Sequence, residues 1–272
     1  MSEPLTSHQI RLASGGTLAV SKAGQGPVLV CLHGFPLDHS MWVGQLAGLA
    51  KHACVIAPDL RGFGKSLGGT PVTSLDDFVG DLLAMLDELE VSGPIVLCGL
   101  SMGGYIAFRF AELAASRLRA LIFCDTRAAA DTDEARENRH RMVKIVRKGG
   151  VSTVADAMHS KLFASETYEL QPEIVDSTHR VMLASAADTV AAAMLAMAAR
   201  PDSTPSLARL PCPSLWICGS EDVITPADEM KGNAGLAPNS QFVEIRNAGH
   251  MAPLEQPSAV NEAMTTFMNS LK

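Results

Sequence analysis

The sequence predicts an α/β fold in which a mostly parallel sheet of eight strands is flanked by helices. Two observations lead to this expectation. Apolar runs of strand length recur between longer stretches of helical periodicity, and such alternation is typical of βα units on a parallel sheet. These runs are hydrophobic at nearly every position, as strands covered on both faces are. With 47% hydrophobic and 19% charged residues, the 272-residue chain can bury a core of that size.

The strands are expected at regular places along the chain. A hairpin covers residues 9–23, and further strands follow it. They are predicted at 27–32, 54–57, 95–99, 118–124, 214–218 and 241–245. Helices are expected between them, several opened by Ser, Thr or Pro near the first turn. They are predicted at 41–50, 75–90, 103–115, 226–237 and 257–271.

One region breaks the alternation of strands and helices. Residues 127–205 contain no convincing strand, only stretches with helical periodicity. These stretches are 133–148, 152–163, 172–187 and 189–199. The sequence therefore predicts a core formed by residues 1–126 and 206–272, with a helical insertion, residues 127–205, between two strands of the sheet.

Charge and hydropathy exclude several classes of function. The net charge of −7 argues against a nucleic-acid partner, which normally requires a clustered basic surface. No stretch has the roughly 18 apolar residues of a membrane span, and the first residues do not resemble a signal peptide. We therefore expect a cytoplasmic protein without a membrane partner. The six cysteines lack metal-ligand spacing and fall mostly in apolar runs, which predicts buried thiols rather than a metal site.

The strongest chemical signal is the motif Gly-Leu-Ser-Met-Gly around Ser101. It lies directly after a predicted strand and directly before a predicted helix. A serine on such a tight turn needs small neighbours two residues away on either side, because the backbone passes close to itself there. Its hydroxyl group then projects at a helix N-terminus, where a developing negative charge is stabilised. Ser101 is the predicted nucleophile.

A serine nucleophile requires a base and an acid that orients the base. His250 follows the last predicted strand, and Asp222 follows the strand before it, which gives the order serine, acid, histidine expected for this architecture. Glu221 and Asp125 are alternative acids, because each also lies near a strand end. Asp222 is preferred for its place after the penultimate strand. The carboxyl ends of parallel strands share one edge of the sheet, so the three groups are expected to meet there.

An oxyanion hole is predicted from two backbone N–H groups. Phe35 lies in the loop that follows the strand 27–32, and Met102 follows the nucleophile. His33 is expected to brace the loop rather than to transfer protons. The segment 59–66 lacks the spacing of a phosphate-binding loop, and no dinucleotide fingerprint follows a strand, so no nucleotide cofactor is expected.

These motifs resemble the α/β-hydrolase superfamily over nearly the whole chain. The resemblance is carried by HGFPLDHSMW, DLRGFGKS, GLSMGG, GSEDVITP and AGHMAPLEQP. Within the superfamily, the chain is most similar to 3-oxoadipate enol-lactonases and related carboxylesterases. The resemblance implies that the helical insertion is a cap over the active site. It also implies a triad of Ser101, Asp222 and His250, with oxyanion donors at Phe35 and Met102.

The expected function is hydrolysis of a small carboxylic ester or lactone, without a metal or cofactor. Assembly with further copies of the chain is left open. An apolar substrate pocket is expected, because methionines and aromatic residues occur near the serine turn and in the insertion. The pocket residues are predicted to be Trp42, Met142, Met158, Phe163, Met182 and Met194. Three alternatives remain: hydrolysis of a carbon–carbon bond in a ring-fission product, cofactor-free perhydrolysis, and a slow small-molecule receptor.

Overall fold

The computed structural model describes residues 5–271, which form an eight-stranded sheet in the order β1-β2-β4-β3-β5-β6-β7-β8. The strands are β1 (Thr6–Arg11), β2 (Thr17–Ala23), β3 (Val28–Leu32), β4 (Cys54–Pro58), β5 (Ile95–Leu100), β6 (Leu118–Cys124), β7 (Ser214–Gly219) and β8 (Ser240–Ile245). Strand β2 pairs antiparallel with β1 and β4, and the other neighbours are parallel. The predicted sheet is confirmed. Residues 1–4 and 272 of the predicted core lie outside the described residues.

Helices connect the strands and cover both faces of the sheet. They are α1 (Val43–Gly48), α2 (Leu75–Glu88), α3 (Met102–Leu113), α4 (Asp133–Gly149), α5 (Ser152–His159), α6 (Ser165–Leu170), α7 (Pro172–Ala184), α8 (Ala187–Ala198), α9 (Ala227–Leu236), α10 (Ala252–Glu255) and α11 (Pro257–Ser270). Short 3-10 turns span His39–Trp42, Ala115–Arg117 and Thr204–Arg209. The short helices α6 and α10 were not predicted, because four to six residues are too few to establish helical periodicity.

Alternation along each central strand produces a core on both sides of the sheet. In β3, Val30 and Leu32 belong to one buried cluster, whereas Leu29 and Cys31 belong to the other. The same division runs through β5, which is buried at every position. Successive side chains of a strand point to opposite faces, so a strand must be apolar throughout when both faces are covered. This explains why continuous apolar runs identified the strands.

The helical insertion consists of α4 to α8, and the described residues between β6 and β7 include no strand. The insertion leaves and rejoins the core at one place, where Ser203 N–H donates to Ala128 O at 2.9 Å. Arg200, which is 6% exposed, strengthens this junction by donating to Asp131 Oδ1 at 2.7 Å and to Ala129 O at 3.0 Å. A buried guanidinium requires such partners, because an unpaired charge in the interior is costly.

The predicted helices of the insertion differ from the observed ones at two points. The helix expected at 152–163 ends at His159, and residues 162–164 are instead buried. The helix expected to reach residue 187 ends at Ala184, where the chain bends into α8. No single helix among the described residues is long and apolar enough to cross a membrane. Helices α7 and α8 reach that length and apolar character only together, and the chain bends by 95° between them.

Candidate active site

Ser101 lies at the turn between β5 and α3, in a backbone conformation that side chains rarely adopt. Its φ is 52° and its ψ is −112°. Two hydrogen bonds hold this turn on the neighbouring strand: Ser101 N–H donates to Cys124 O at 3.0 Å, and the hydroxyl of Thr126 donates to Ser101 O at 2.7 Å. A strained conformation of this kind persists only when surrounding contacts impose it, and it is typical of functional sites.

Glycines around Ser101 are required by close backbone approaches. A Cβ atom at Gly99 would lie 2.2 Å from the carbonyl carbon of Gly103, and one at Gly103 would lie 2.4 Å from Leu32 O. A Cβ atom at Gly104 would lie 2.4 Å from Thr126 Oγ1. Real Cβ contacts at these distances do not occur, so larger residues would push α3 away from the sheet. The motif around Ser101 is therefore a steric requirement of the turn.

Asp222 and His250 form a buried hydrogen-bonded pair. Asp222 follows β7 and is 6% exposed, whereas His250 follows β8 and is 2% exposed. Nδ1 of His250 lies 2.8 Å from Oδ2 of Asp222. The hydroxyl of Thr225 donates to Oδ2, and its N–H donates to Oδ1 at 2.9 Å. Burial alone would raise the pKa of Asp222, but the charge of His250 and these hydrogen bonds lower it below its usual value.

The two alternative acids have other partners. Glu221 is exposed and accepts a hydrogen bond from Ser165 N–H of the helical insertion at 3.2 Å. Asp125 is fully buried and accepts from Gly219 N–H at 2.8 Å, while its Oδ2 has no hydrogen-bond partner. Among the three acids, only Asp222 bonds to His250 in the described part of the chain. Burial, and then the charge of Asp222, raises the pKa of Asp125 well above its usual value.

The hydroxyl of Ser101 forms no hydrogen bond with any described residue. Ser101 itself is half-exposed, so the hydroxyl is not used as a structural contact in the core. Ser101, Asp222 and His250 nevertheless all follow carboxyl ends of parallel strands, β5, β7 and β8, at one edge of the sheet.

The loop after β3 packs against the serine turn. A Cβ atom at Gly34 would lie 3.6 Å from the Cβ of Ser101. Neither Phe35 N–H nor Met102 N–H donates a hydrogen bond to any residue between 5 and 271. Met102 opens α3, and the first N–H groups of a helix have no partner within it. Two free donors therefore belong to the loop after β3 and to the start of α3, the two segments that meet at the Ser101 turn.

His33 braces this loop, in agreement with its expected role. It is fully buried, its Nδ1 donates to Gly34 O at 2.8 Å, and its Nε2 accepts from Leu60 N–H at 2.9 Å. One ring nitrogen donates and the other accepts, which requires a neutral imidazole. Burial lowers the pKa of His33, which is consistent with that state. His33 thus connects the loops after β3 and β4.

The helical insertion contacts three loops at this edge of the sheet. Ser185 Oγ donates to Pro36 O at 3.2 Å, in the predicted oxyanion loop, which follows β3 and carries Phe35. Glu221, beside Asp222 in the chain, accepts from the start of α6 as described above. A Cβ atom at Gly249 would lie 2.6 Å from the carbonyl carbon of Phe163, so the chain before α6 lies directly against the histidine loop. The insertion therefore lies next to the loop after β3 and next to the loops that carry Asp222 and His250.

Predicted pocket residues lie in several environments. Trp42, Phe163 and Met182 are buried in one core cluster, Met194 is buried in the other, and Met142 and Met158 are half-buried. Their assignment to a substrate pocket stays a prediction. A separate cavity of about 360 Å³ lies between the insertion and the core. Its lining includes Leu37, Met41, Thr178, Val181 and Leu254, with none of the six predicted residues.

Two groups of potential metal ligands occur in the described part of the chain. They are Asp38, His39 and Asp59, and Asp125, Cys218 and Asp222. In the first group, Asp59 is engaged by His39 and by Lys65 N–H. In the second group, Asp222 is engaged by His250 and Thr225. Internal hydrogen bonds therefore account for Asp59 and Asp222, and Oδ2 of Asp125, a buried oxygen without a partner among the described residues, does not by itself point to a bound cation.

Three residues with direct contacts to the site were not predicted individually. Thr126 bonds the backbone of Ser101, Thr225 bonds Asp222, and Glu255 bonds the loop that carries His250. Thr225 and Glu255 lie in the motifs GSEDVITP and AGHMAPLEQP, which carry the predicted acid Asp222 and the predicted base His250. Nothing in the sequence around Thr126 indicates its contact, because the contact depends on the spacing of β5 and β6.

Comparisons with known proteins cover nearly the entire chain. The profile of the "Alpha/beta hydrolase family" matches residues 29–263. The 3-oxoadipate enol-lactonase 2 of Acinetobacter baylyi is 29% identical over 248 residues, 89% of this chain and 88% of that protein. A thermophilic esterase from Thermogutta terrifontis is 41% identical, with a TM-score of 0.94 over 98% of this chain and 99% of that one. The enol-lactonase from Burkholderia xenovorans is 25% identical, with a TM-score of 0.88 over 97% of this chain and 100% of that chain.

Proposed function

Because the chain belongs to the alpha/beta hydrolase family, as its motifs predicted, we propose that it is a serine hydrolase that cleaves a carboxylic ester or lactone. The observation that best supports this proposal is the strained backbone of Ser101 at the start of α3. Three neighbouring glycines make this conformation sterically possible. A hydroxyl group held there at such conformational cost, with a buried Asp222–His250 pair on neighbouring strands, is the arrangement that acyl transfer requires.

In the first half of the reaction, Ser101 Oγ attacks the carbonyl carbon of the ester, and Nε2 of His250 takes the hydroxyl proton. Asp222 accepts the hydrogen bond from Nδ1–H and stabilises the imidazolium. The carbonyl oxygen becomes an oxyanion that Phe35 N–H and Met102 N–H bind. The intermediate then collapses: the bond to the leaving oxygen breaks, and His250 returns its proton to that oxygen. An alcohol and an acyl-enzyme result.

In the second half, a water molecule attacks the acyl-enzyme while His250 takes a proton from it. The second oxyanion collapses, the bond to Ser101 breaks, and the serine recovers its proton from the imidazolium. The products are a carboxylic acid and the free enzyme. For a lactone, the alcohol and the acid are parts of one molecule. These steps use side chains and backbone groups of the chain and consume only water.

The substrate class is proposed from the relatives and from the insertion. Relatives that cover nearly the whole chain are named as an esterase and as enol-lactonases, which supports an ester or lactone bond. We further propose that the helical insertion, residues 127–205, is a cap over the site. Its contacts with Pro36, Glu221 and Gly249 support this role, because they border the oxyanion loop, the acid and the base.

The proposal is tested by hydrolysis of p-nitrophenyl acetate and p-nitrophenyl octanoate. We expect the wild type to hydrolyse at least one of them, and Ser101→Ala to lose on the order of 10³-fold or more in kcat/KM. Ser160→Ala, which removes an exposed serine at the end of α5, is the control and should match the wild type. An inactive wild type, or a Ser101→Ala variant that retains full activity, would contradict the proposed function.

A further inference from the structure

Glu255 is a buried carboxylate with an unusual position next to the catalytic base. It ends α10 and is 2% exposed. Its Oε1 accepts hydrogen bonds from Gly249 N–H at 2.8 Å and from Met251 N–H at 3.2 Å. These two residues flank His250 in the chain. One oxygen atom therefore fixes the backbone on both sides of the histidine that serves as the proposed base.

The other oxygen of Glu255 binds the helical insertion. Oε2 accepts from Ala164 N–H at 2.8 Å and from the hydroxyl of Thr167 at 2.7 Å. Ala164 precedes α6, and Thr167 lies in its first turn. The same stretch of chain lies against Gly249, where there is no space for a Cβ atom. A single side chain thus connects the histidine loop to the start of α6, 88 residues earlier in the chain.

The chemistry of the four contacts defines the state of Glu255. Three partners are backbone N–H groups, which can only donate, and the fourth is a hydroxyl group. A carboxylate accepts all four bonds, whereas a protonated carboxyl group would have to turn one oxygen into a donor. Burial raises the pKa of Glu255, and the bonds from Thr167, Ala164, Gly249 and Met251 oppose that rise. No cationic side chain pairs with it in the described part of the chain.

We propose that Glu255 is a positioning residue that fixes His250 and the start of α6 relative to each other. The segment 163–167 is then a fixed wall of the active site, and the same carboxylate sets both the placement of the base and the room beside it. This inference rests on the proposed function, since it assigns a role relative to His250 as the base. It adds to that function a physical connection between the catalytic core and the helical insertion.

Two variants separate the two ends of this connection. Glu255→Gln keeps the size of the side chain but places an NH₂ group against the donors at one end and leaves an uncharged, weaker acceptor at the other, so both ends are disturbed. Thr167→Val removes one donor from Oε2 and leaves the bonds to Gly249 and Met251 in place. We expect Glu255→Gln to lower kcat about 10- to 100-fold on both esters, which corresponds to the loss of one hydrogen bond to a charged group. For Thr167→Val we expect kcat within about threefold of the wild type and a raised KM for the longer ester.

Asp81→Asn is the matched control for general damage. Asp81, on α2, is also a buried carboxylate, 5% exposed, but it pairs with Arg61 of the loop after β4 and forms no hydrogen bond with the histidine loop. Thermal unfolding curves first establish that every variant is folded at the assay temperature, and activity is then measured on fresh samples. The rate of Ser101 labelling by a fluorophosphonate is measured as well, because it reports activation of the serine without depending on an ester. Labelling should slow in Glu255→Gln and stay normal in Asp81→Asn.

Hydrogen–deuterium exchange tests the connection without any turnover. In Glu255→Gln, the amides of 163–168 and of 249–251 should lose protection together; in Thr167→Val, only the first segment should. If the wild type is active and Ser101→Ala is not, but Glu255→Gln retains kcat, labelling rate and protection, this inference alone is overturned. Equal loss of stability in Glu255→Gln and Asp81→Asn with unchanged kcat also overturns it. An inactive wild type contradicts the proposed function instead, and the role assigned relative to the base falls with it.

Discussion

The hydroxyl group of Thr225 donates a hydrogen bond to Oδ2 of Asp222, the same oxygen atom that bonds Nδ1 of His250. Oδ1 of Asp222 meanwhile accepts from Ile224 N–H at 2.8 Å and from Thr225 N–H at 2.9 Å. Since the ionised carboxylate can only accept, His250 must carry its proton on Nδ1, which leaves Nε2 able to take the proton of a nucleophile. Thr225 therefore contributes, through Asp222, to the orientation of His250, the proposed base.

Replacing Thr225 with valine should reduce activity without preventing folding. Valine keeps the shape of threonine but loses the bond to a charged oxygen, worth about 1.5–3 kcal/mol, so kcat/KM should fall about 10- to 100-fold. Thr225→Ser retains the hydroxyl and should stay within a few-fold of the wild type. The kcat/KM of each variant is measured from ester hydrolysis at substrate concentrations well below KM. Equal activity of the valine and serine variants would show that the hydroxyl does not act on the triad.

Asp222→Asn should be far more damaging than the same change at Glu221. An asparagine can place an NH₂ group against His250 and favour the wrong tautomer, which costs on the order of 10⁴-fold in kcat for such triads. Glu221 lies next to Asp222 in the chain but bonds Ser165 N–H instead. Glu221→Gln should therefore retain most of its activity. Comparable losses in the two variants would mean that the acid has been assigned to the wrong residue.

Two glycine-to-alanine changes should have opposite effects on stability. Both glycines are in helices, but a Cβ atom at Gly103 would lie 2.4 Å from Leu32 O, whereas one at Gly80 would meet nothing within 4 Å. We expect Gly103→Ala to lower the free energy of unfolding by about 1–3 kcal/mol, because α3 must shift. Gly80→Ala should raise it by about 0.5–1 kcal/mol through helix propensity. Urea unfolding measures both, and a stable Gly103→Ala protein would contradict the steric explanation of the serine turn.

The effect of Asp125→Asn on the free energy of unfolding should become more favourable as the pH rises. The pKa of Asp125 is raised in the folded protein, so its contribution to stability is fully present below the unfolded pKa, about 4, and is lost as the pH rises towards the folded value. Asparagine does not titrate. The free energy of unfolding of Asp125→Asn minus that of the wild type should therefore increase with pH across that window, measured by urea unfolding between pH 4 and the neutral range.

Asp131 provides a control with the opposite sign. Burial opposes ionisation, but hydrogen bonds and charge from Arg139 and Arg200 lower the pKa of Asp131 in the folded protein. Its contribution is present above the unfolded pKa and is lost as the pH falls through the folded value. Asp131→Asn should thus be most destabilising near neutral pH and less so in acid. Parallel pH dependence in the two variants would contradict the assignment of a raised pKa to Asp125.

Much of the sheet, and the places of the three residues of the proposed triad, could be predicted because both depend on local patterns. Strands buried on two faces leave continuous apolar runs, and the residues that follow them are brought to one edge by parallel topology. Ser101 was identified by its glycines, whose necessity is local. His250 and Asp222 were identified by their places after the last two strands, and the structure adds the bond between them.

The remaining features depend on contacts between distant segments, which leave no periodic signal. Thr126 reaches Ser101 only because β5 and β6 are neighbours in the sheet. Glu221 and Asp222 are adjacent in the sequence, and only the direction of each side chain distinguishes the partner of α6 from the partner of His250. The helix predicted at 152–163 ended early because residues 162–164 pack on Gly249, a tertiary contact that overrides helical propensity.

The junction between Ala128 and Ser203 has a consequence for how this chain can be modified. Since the two ends of the insertion are hydrogen-bonded to each other, a segment of different length can replace it without changing the register of β6 and β7, and loop-closure entropy varies only slowly with length. An exchanged segment would have to meet two conditions. Its ends must close to the distance of one hydrogen bond, and it must present an N–H and a hydroxyl group to Glu255. Because we propose that the insertion is a cap over the site, grafting helices from relatives under those two rules should alter substrate selectivity and leave the sheet unchanged.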